Sequence, residues 1–178
     1  MAKKRSAARK NLASLLSGGD RRSLGRANSI VRGVLADTRQ FPELLQCMWS
    51  HDAVVRMRAA DAAEKVSAAK PDLLQPFKAE LLGLAAESQQ PEVQWHLALL
   101  IPRLGLTPRE CRRAFAQLRE YLEHRSSIVK TLALQGLAEL AREHEEFRLE
   151  VAELLAEASR NGTPAMKARA RKLLSRPE

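Results

Sequence analysis

PDLLQPFKAELLGLAAESQQPEVQWHLALLIPRL, residues 71–104, is the stretch from which the architecture can be read. Pro71 suits the first turn of a helix, where its missing N–H costs nothing. Leu74, Phe77, Leu81 and Leu84 then recur at helical spacing, so this helix carries one apolar face. Pro76 falls early enough to bend the helix or end its first turn without destroying it. Residues 87–90 are polar and few, which forces the next helix back antiparallel. Pro91 opens that helix, and Val93, Leu97, Ile101 and Leu104 form its stripe.

The same pattern lies on either side. Val55, Val93, Val129 and Met166 occupy one position of the second helices, at spacings of 38, 36 and 37 residues. Ala59, Leu97, Ala133 and Ala170 follow, then Ala63, Ile101, Leu137 and Leu174. A drifting period of this length marks stacked helix pairs, each unable to bury its apolar face alone. No alternating β-branched run occurs, so an all-α chain without sheet is expected.

DAVVRMRAADAAEKV and PEVQWHLALLIPRL resemble second helices of HEAT repeats, and PDLLQPF resembles a HEAT first helix with its proline. The likeness covers roughly residues 20–176. It implies an α-solenoid of about four to five HEAT-like antiparallel pairs in a short right-handed superhelix, like small bacterial HEAT-repeat proteins. It also implies that Asp52 and Arg56 belong to a ladder between repeats, although Gln94 and Lys130 stand at the positions equivalent to Arg56. Such a fold says little about function.

Local signals agree with this division. Asp52 is a cap for the helix over 52–68. Thr107-Pro108-Arg109-Glu110 is a capping box with proline in the first turn, starting a helix that runs to about Glu123. Helices follow over 127–143 and 145–159, then Asn161-Gly162 breaks the chain and Thr163-Pro164 opens the last helix. Trp49 reads as packing between repeats. Residues 1–19 read as a basic, flexible arm, with a short helix near Lys10–Leu16 as an option, and residues 20–178 as one repeat domain.

The net charge of +9 sits at the ends. Residues 1–39 carry ten Lys/Arg against two Asp/Glu, a net +8. Residues 40–159 carry fourteen against eighteen, a net −4, and residues 160–178 six against one, a net +5. Cys47 and Cys111 are isolated and read as small buried hydrophobes, so neither a disulfide framework nor a metal site is indicated. The N-terminal apolar run is too short for a secretory signal, and no stretch approaches a membrane span. A bacterial, cytoplasmic protein is expected.

No nucleophile elbow, cysteine–histidine motif or glycine-rich phosphate loop is present, so no catalytic residue, cofactor or small-molecule substrate is indicated. Second helices of HEAT arrays usually line the concave surface, and Arg58, Asp61, Trp95, His96, Arg103 and Gln135 fall on its outward rows. A non-enzymatic scaffold binding a protein through these residues is the first expectation. The second is nucleic-acid binding through Lys3, Lys4, Arg5, Arg9, Lys10, Arg21, Arg22, Lys167 and Arg171, which would be steeply salt-dependent. The third is a base-excising DNA glycosylase of HEAT-like build. Trp95 would serve as its aromatic, but Leu99 stands where a carboxylate is wanted, and the acidic middle opposes DNA wrapping.

Overall fold

The computed structural model describes residues 11–18 and 25–175, and every regular element among them is helical. The α-helices are α1 (Leu12–Leu16), α2 (Ala27–Ala36), α3 (Phe41–Gln46), α4 (Ala53–Ala69) and α5 (Lys78–Glu87). After these come α6 (Pro91–Leu100), α7 (Pro108–Glu120), α8 (Ser127–Glu143), α9 (Arg148–Asn161) and α10 (Pro164–Leu174).

Several boundaries follow from single residues. Pro71–Phe77 winds as a 3-10 helix, because Pro76 has no N–H to give and crowds the carbonyl four residues back; the α-helix begins only at Lys78. Thr107 and Glu110 form the expected capping box, with the Thr107 N–H donating to Glu110 Oε2 at 2.8 Å. Asp52 Oδ1 accepts the Val54 N–H at 2.8 Å and caps α4. A 3-10 turn over Glu145–Phe147 precedes α9, where a helix from residue 145 was expected.

Two compact units divide inside α4, between Ala63 and Glu64. In the first, α1 lies against α3 and buries Leu12 and Leu16. A five-residue helix cannot hold itself. It is tied at one end by the Leu12 N–H, which donates to Glu43 Oε1 at 2.7 Å, and at the other by Arg58. Residues 11–18 are thus packed structure: the short helix offered near Lys10–Leu16 forms over Leu12–Leu16, and the expectation of a loose arm does not hold there. Trp49 is 38% exposed rather than enclosed between repeats.

In the second unit, α6, α8 and α10 lie side by side, α7 and α9 rest on α8, and α9 pairs with α10. The apolar stripes expected from the sequence form its core: Val93, Leu97 and Ile101, and Val129, Ala133 and Leu137, are fully buried. Gly136 marks the closest approach of α6 and α8, since a Cβ there would lie 2.3 Å from the Ala98 carbonyl oxygen. The last helix departs from the expected stripe. Leu174 is 49% exposed and Leu173 is buried instead, because α10 turns Ala170 and Leu173 toward its neighbours.

Candidate interaction surfaces

The outward rows of the second helices divide by what lies across from them. On α6, Trp95 and Leu99 are half-buried, and Trp95 meets His96 edge to face with ring centroids 5.9 Å apart. Leu132 on the neighbouring α8 is also half-buried. Two helices that pack on each other thus each carry large apolar side chains that their own packing leaves half-covered.

Polar links lie on the same outward rows. Arg103 donates to Glu64 Oε1 at 2.6 Å, and to the Glu64 carbonyl and Ser67 Oγ at 2.8 Å each. Gln135 donates to Glu139 Oε1 at 2.7 Å and accepts from the Arg169 guanidinium. Arg103 and Gln135, expected as partner contacts, thus already tie neighbouring segments together.

Arg58 and Asp61 require a correction, because both point inward. Arg58 is 2% exposed, and its Nη1 donates to the carbonyls of Leu16 at 2.7 Å and Gly18 at 2.6 Å. These carbonyls sit at the C-terminal end of α1, where helical carbonyls lack partners and a cation is favoured. Gly25, at φ +51°, gives this guanidinium room: a Cβ there would stand 3.0 Å from Arg58 Cζ. Asp61 is buried as well. Neither residue can reach a docked partner without unpacking the first unit.

The expected ladder residue Arg56 turns to its own loop, donating to the Ser50 carbonyl at 2.7 Å and the His51 carbonyl at 3.0 Å. Gln94, its equivalent in the next copy, does the same to the Ser88 carbonyl at 2.9 Å. Of the basic residues expected to meet nucleic acid, Lys167 is half-buried and Arg171 exposed on α10. Lys3, Lys4, Arg5, Arg9, Lys10, Arg21 and Arg22 lie outside the described residues.

Both cysteines are buried, and burial raises each thiol to about 11, so both stay protonated at neutral pH. Among the described residues no three His, Cys, Asp or Glu side chains gather to hold a metal, and no helix is long and apolar enough to cross a membrane.

A second surface was not found from the sequence. Between α5 and α7 runs a groove of about 370 Å³. Ala79, Leu82, Gly83 and Ala86 line one wall, which ends at Glu87, and Glu110, Arg113, Ala114 and Gln117 line the other, with Ile101 between them. Both sets follow the i, i+3, i+4, i+7 spacing of one helix face. The two helices are tied at both ends. Lys78 Nζ bonds Glu110 Oε2 at 2.7 Å, holding the Glu110 carboxyl down to about 2, and the buried Tyr121 hydroxyl donates to the Ala85 carbonyl at 2.6 Å. By contrast, Phe115 and Phe147 stack with centroids 4.1 Å apart and fill the space between α7 and the turn before α9. The stripe Ala79, Gly83 and Ala86 was the available sequence signal, but small residues in a helix announce close packing as readily as an opening.

Compared with protein-family models, with curated proteins and with solved structures, the chain matches none.

Proposed function

We propose that this chain is a HEAT-type helical-repeat module, without catalytic function, that binds another protein through the exposed face of α6 and α8. Pairing of α5 with α6, α7 with α8 and α9 with α10, and the side-by-side run of α6, α8 and α10, support the repeat reading. The observation that carries the binding reading is the trio of Trp95, Leu99 and Leu132, large side chains left half-covered by the chain's own packing. Tryptophan and leucine left half-covered supply anchor area, while the Arg103 and Gln135 links hold neighbouring segments together.

The test is proximity crosslinking from a photoreactive residue at position 99, with and without Trp95→Ala and Leu132→Ala. The reading requires a discrete crosslinked protein that disappears in the double variant while its helical circular dichroism is retained. A crosslinked set that the double variant leaves unchanged refutes it.

A second reading, nucleic-acid binding, is favoured by Arg171 and Lys172, exposed on α10 with no carboxylate partner among the described residues. Anisotropy titration of labelled duplex and single-stranded DNA and RNA tests it, at about 50 and 200 mM salt, where phosphate contacts weaken steeply. Affinity that Arg171→Glu with Lys172→Glu leaves unaltered removes that helix from the reading.

A further inference from the structure

We infer that the groove between α5 and α7 is the docking site for α9 of a second copy of this chain, so that copies associate head to tail.

The groove is an opening the chain keeps without using it. A glycine within a helix weakens that helix, and Gly83 has no neighbour needing the room: a Cβ there would meet nothing within 4 Å. Gly136 is the opposite case, pressed against a carbonyl. The Lys78–Glu110 ion pair and the Tyr121–Ala85 hydrogen bond fix the two walls at either end, so the space between them is preformed.

On the α7 side Arg113 lines the groove, Arg109 stands one turn before it and Glu110 is held by Lys78, whereas the α5 side ends in the exposed Glu87. Both arginines are exposed, and no carboxylate partners either among the described residues. An occupant therefore needs a narrow apolar ridge with carboxylates one turn apart along its flank.

α9 presents that pattern outward. Leu149, 75% exposed, is the most exposed large hydrophobic residue described, and Ala152 and Ala156 continue its ridge at i+3 and i+7. Glu153 and Glu157 lie one turn apart on one flank, matching the spacing of Arg109 and Arg113. Glu153 is exposed with no cation partner among the described residues, and Glu157 holds only exposed contacts to Arg160 and Asn161. Leu149 is the side chain that fills the space above Gly83.

Groove and ridge are different patches, so each copy offers one of each and the contact propagates. One helix in one groove is a small interface, and association is correspondingly weak. The net charge of +9 opposes it at low salt, whereas the paired charges act at contact distance, so association is favoured near physiological ionic strength.

Sedimentation velocity on the full chain, from about 10 µM to 1 mM in about 0.15 M salt, tests the inference. The weight-average mass is expected to climb from the 19.8 kDa monomer toward twice that value or beyond. Gly83→Leu, which fills the groove without touching the fold, holds the mass at monomer across the range. Arg113→Glu alone and Glu153→Arg alone also remain monomeric, since each sets like charges across the contact. An equimolar mixture of the two restores association, because each groove then finds an α9 of opposite charge. A wild type that stays monomeric throughout overturns the inference. So does a Gly83→Leu variant that associates as wild type does, or a mixture that fails to recover while both variants keep native circular dichroism.

Discussion

Gly136→Ala tests the central packing contact with the smallest change available. The added Cβ lands 2.3 Å from the Ala98 carbonyl oxygen, whereas real Cβ contacts are essentially never under 3.0 Å, so α6 and α8 must part by at least 0.7 Å. Leu118 Cδ1 stands at 3.0 Å on another side and can swing away, but the Ala98 backbone cannot. Forcing a methyl group into a filled core costs about 1–3 kcal/mol. Replacing glycine by alanine inside a helix returns up to about 1 kcal/mol. The net expectation is a loss of about 1–2 kcal/mol, which lowers Tm by about 3–6 °C in a chain of this length. Gly83→Ala is the control: it makes the same chemical change with nothing within 4 Å, and gains about 0.5–1 kcal/mol. Urea unfolding followed by circular dichroism reads both, with the midpoints expected to move in opposite directions at unchanged slope. Gly136→Ala at or above wild-type stability would mean that α6 and α8 do not meet at Gly136, and the core packing described above would be wrong.

Arg58→Met removes the guanidinium bonds to Leu16 and Gly18, at a cost of about 2–4 kcal/mol for bonds from a buried charged donor; hydrogen exchange should report it as lost protection in α1. Tyr121→Phe leaves the Ala85 carbonyl, in the last turn of α5, without its donor, and about 1–2 kcal/mol of stability should go with it in urea unfolding. Glu110 has its carboxyl held at about 2 by Lys78 and by the Thr107 N–H, below the ordinary 4.5. A carboxyl lowered by folding contributes fully above pH 4.5, and the contribution fades as pH falls from 4.5 toward 2. Lys78→Ala should accordingly flatten the stability–pH curve in that window, and a curve parallel to wild type would contradict the ion pair.

Most of the helical architecture was legible because it rests on periodic burial. Val55, Val93 and Val129 stand at one repeat position and are all buried, and the Thr107 capping box forms as its four residues require. What failed depended on neighbours. Leu174 has the right spacing, but at the last copy Leu173 takes the inward position. Trp49 has the composition of a core residue and stays partly exposed at the end of a 3-10 turn. Leu122 continues the spacing of Cys111, Phe115 and Leu118, yet the turn tightens to 3-10 at Tyr121 and brings the tyrosine ring into the core instead. A change of helix type by one turn rotates every later side chain, and no periodic template carries that rotation.

The outward rows show why surface residues were harder to read than core ones. Arg58, His96, Leu132 and Arg169 share one repeat position, and a helix period alone treats them alike. Their fates differ because each meets different groups across the interface. Arg58 meets the bare carbonyls at the end of α1 and is drawn inward, Arg169 meets Gln135, and His96 has the Trp95 ring beside it. A long cation turns inward wherever unsatisfied carbonyls lie within reach, since its stem buries apolar area while its head completes their hydrogen bonds. An α5–α7 opening is harder still to anticipate, because it consists of what Ala79, Gly83 and Ala86 lack. Such residues would close the space if the helices were free to approach, as α6 and α8 do at Gly136. They leave it open here because Lys78–Glu110 and Tyr121–Ala85 set the distance between the walls, and both contacts join residues more than thirty positions apart. Reading a groove from sequence therefore requires knowing its struts first, and the struts are tertiary.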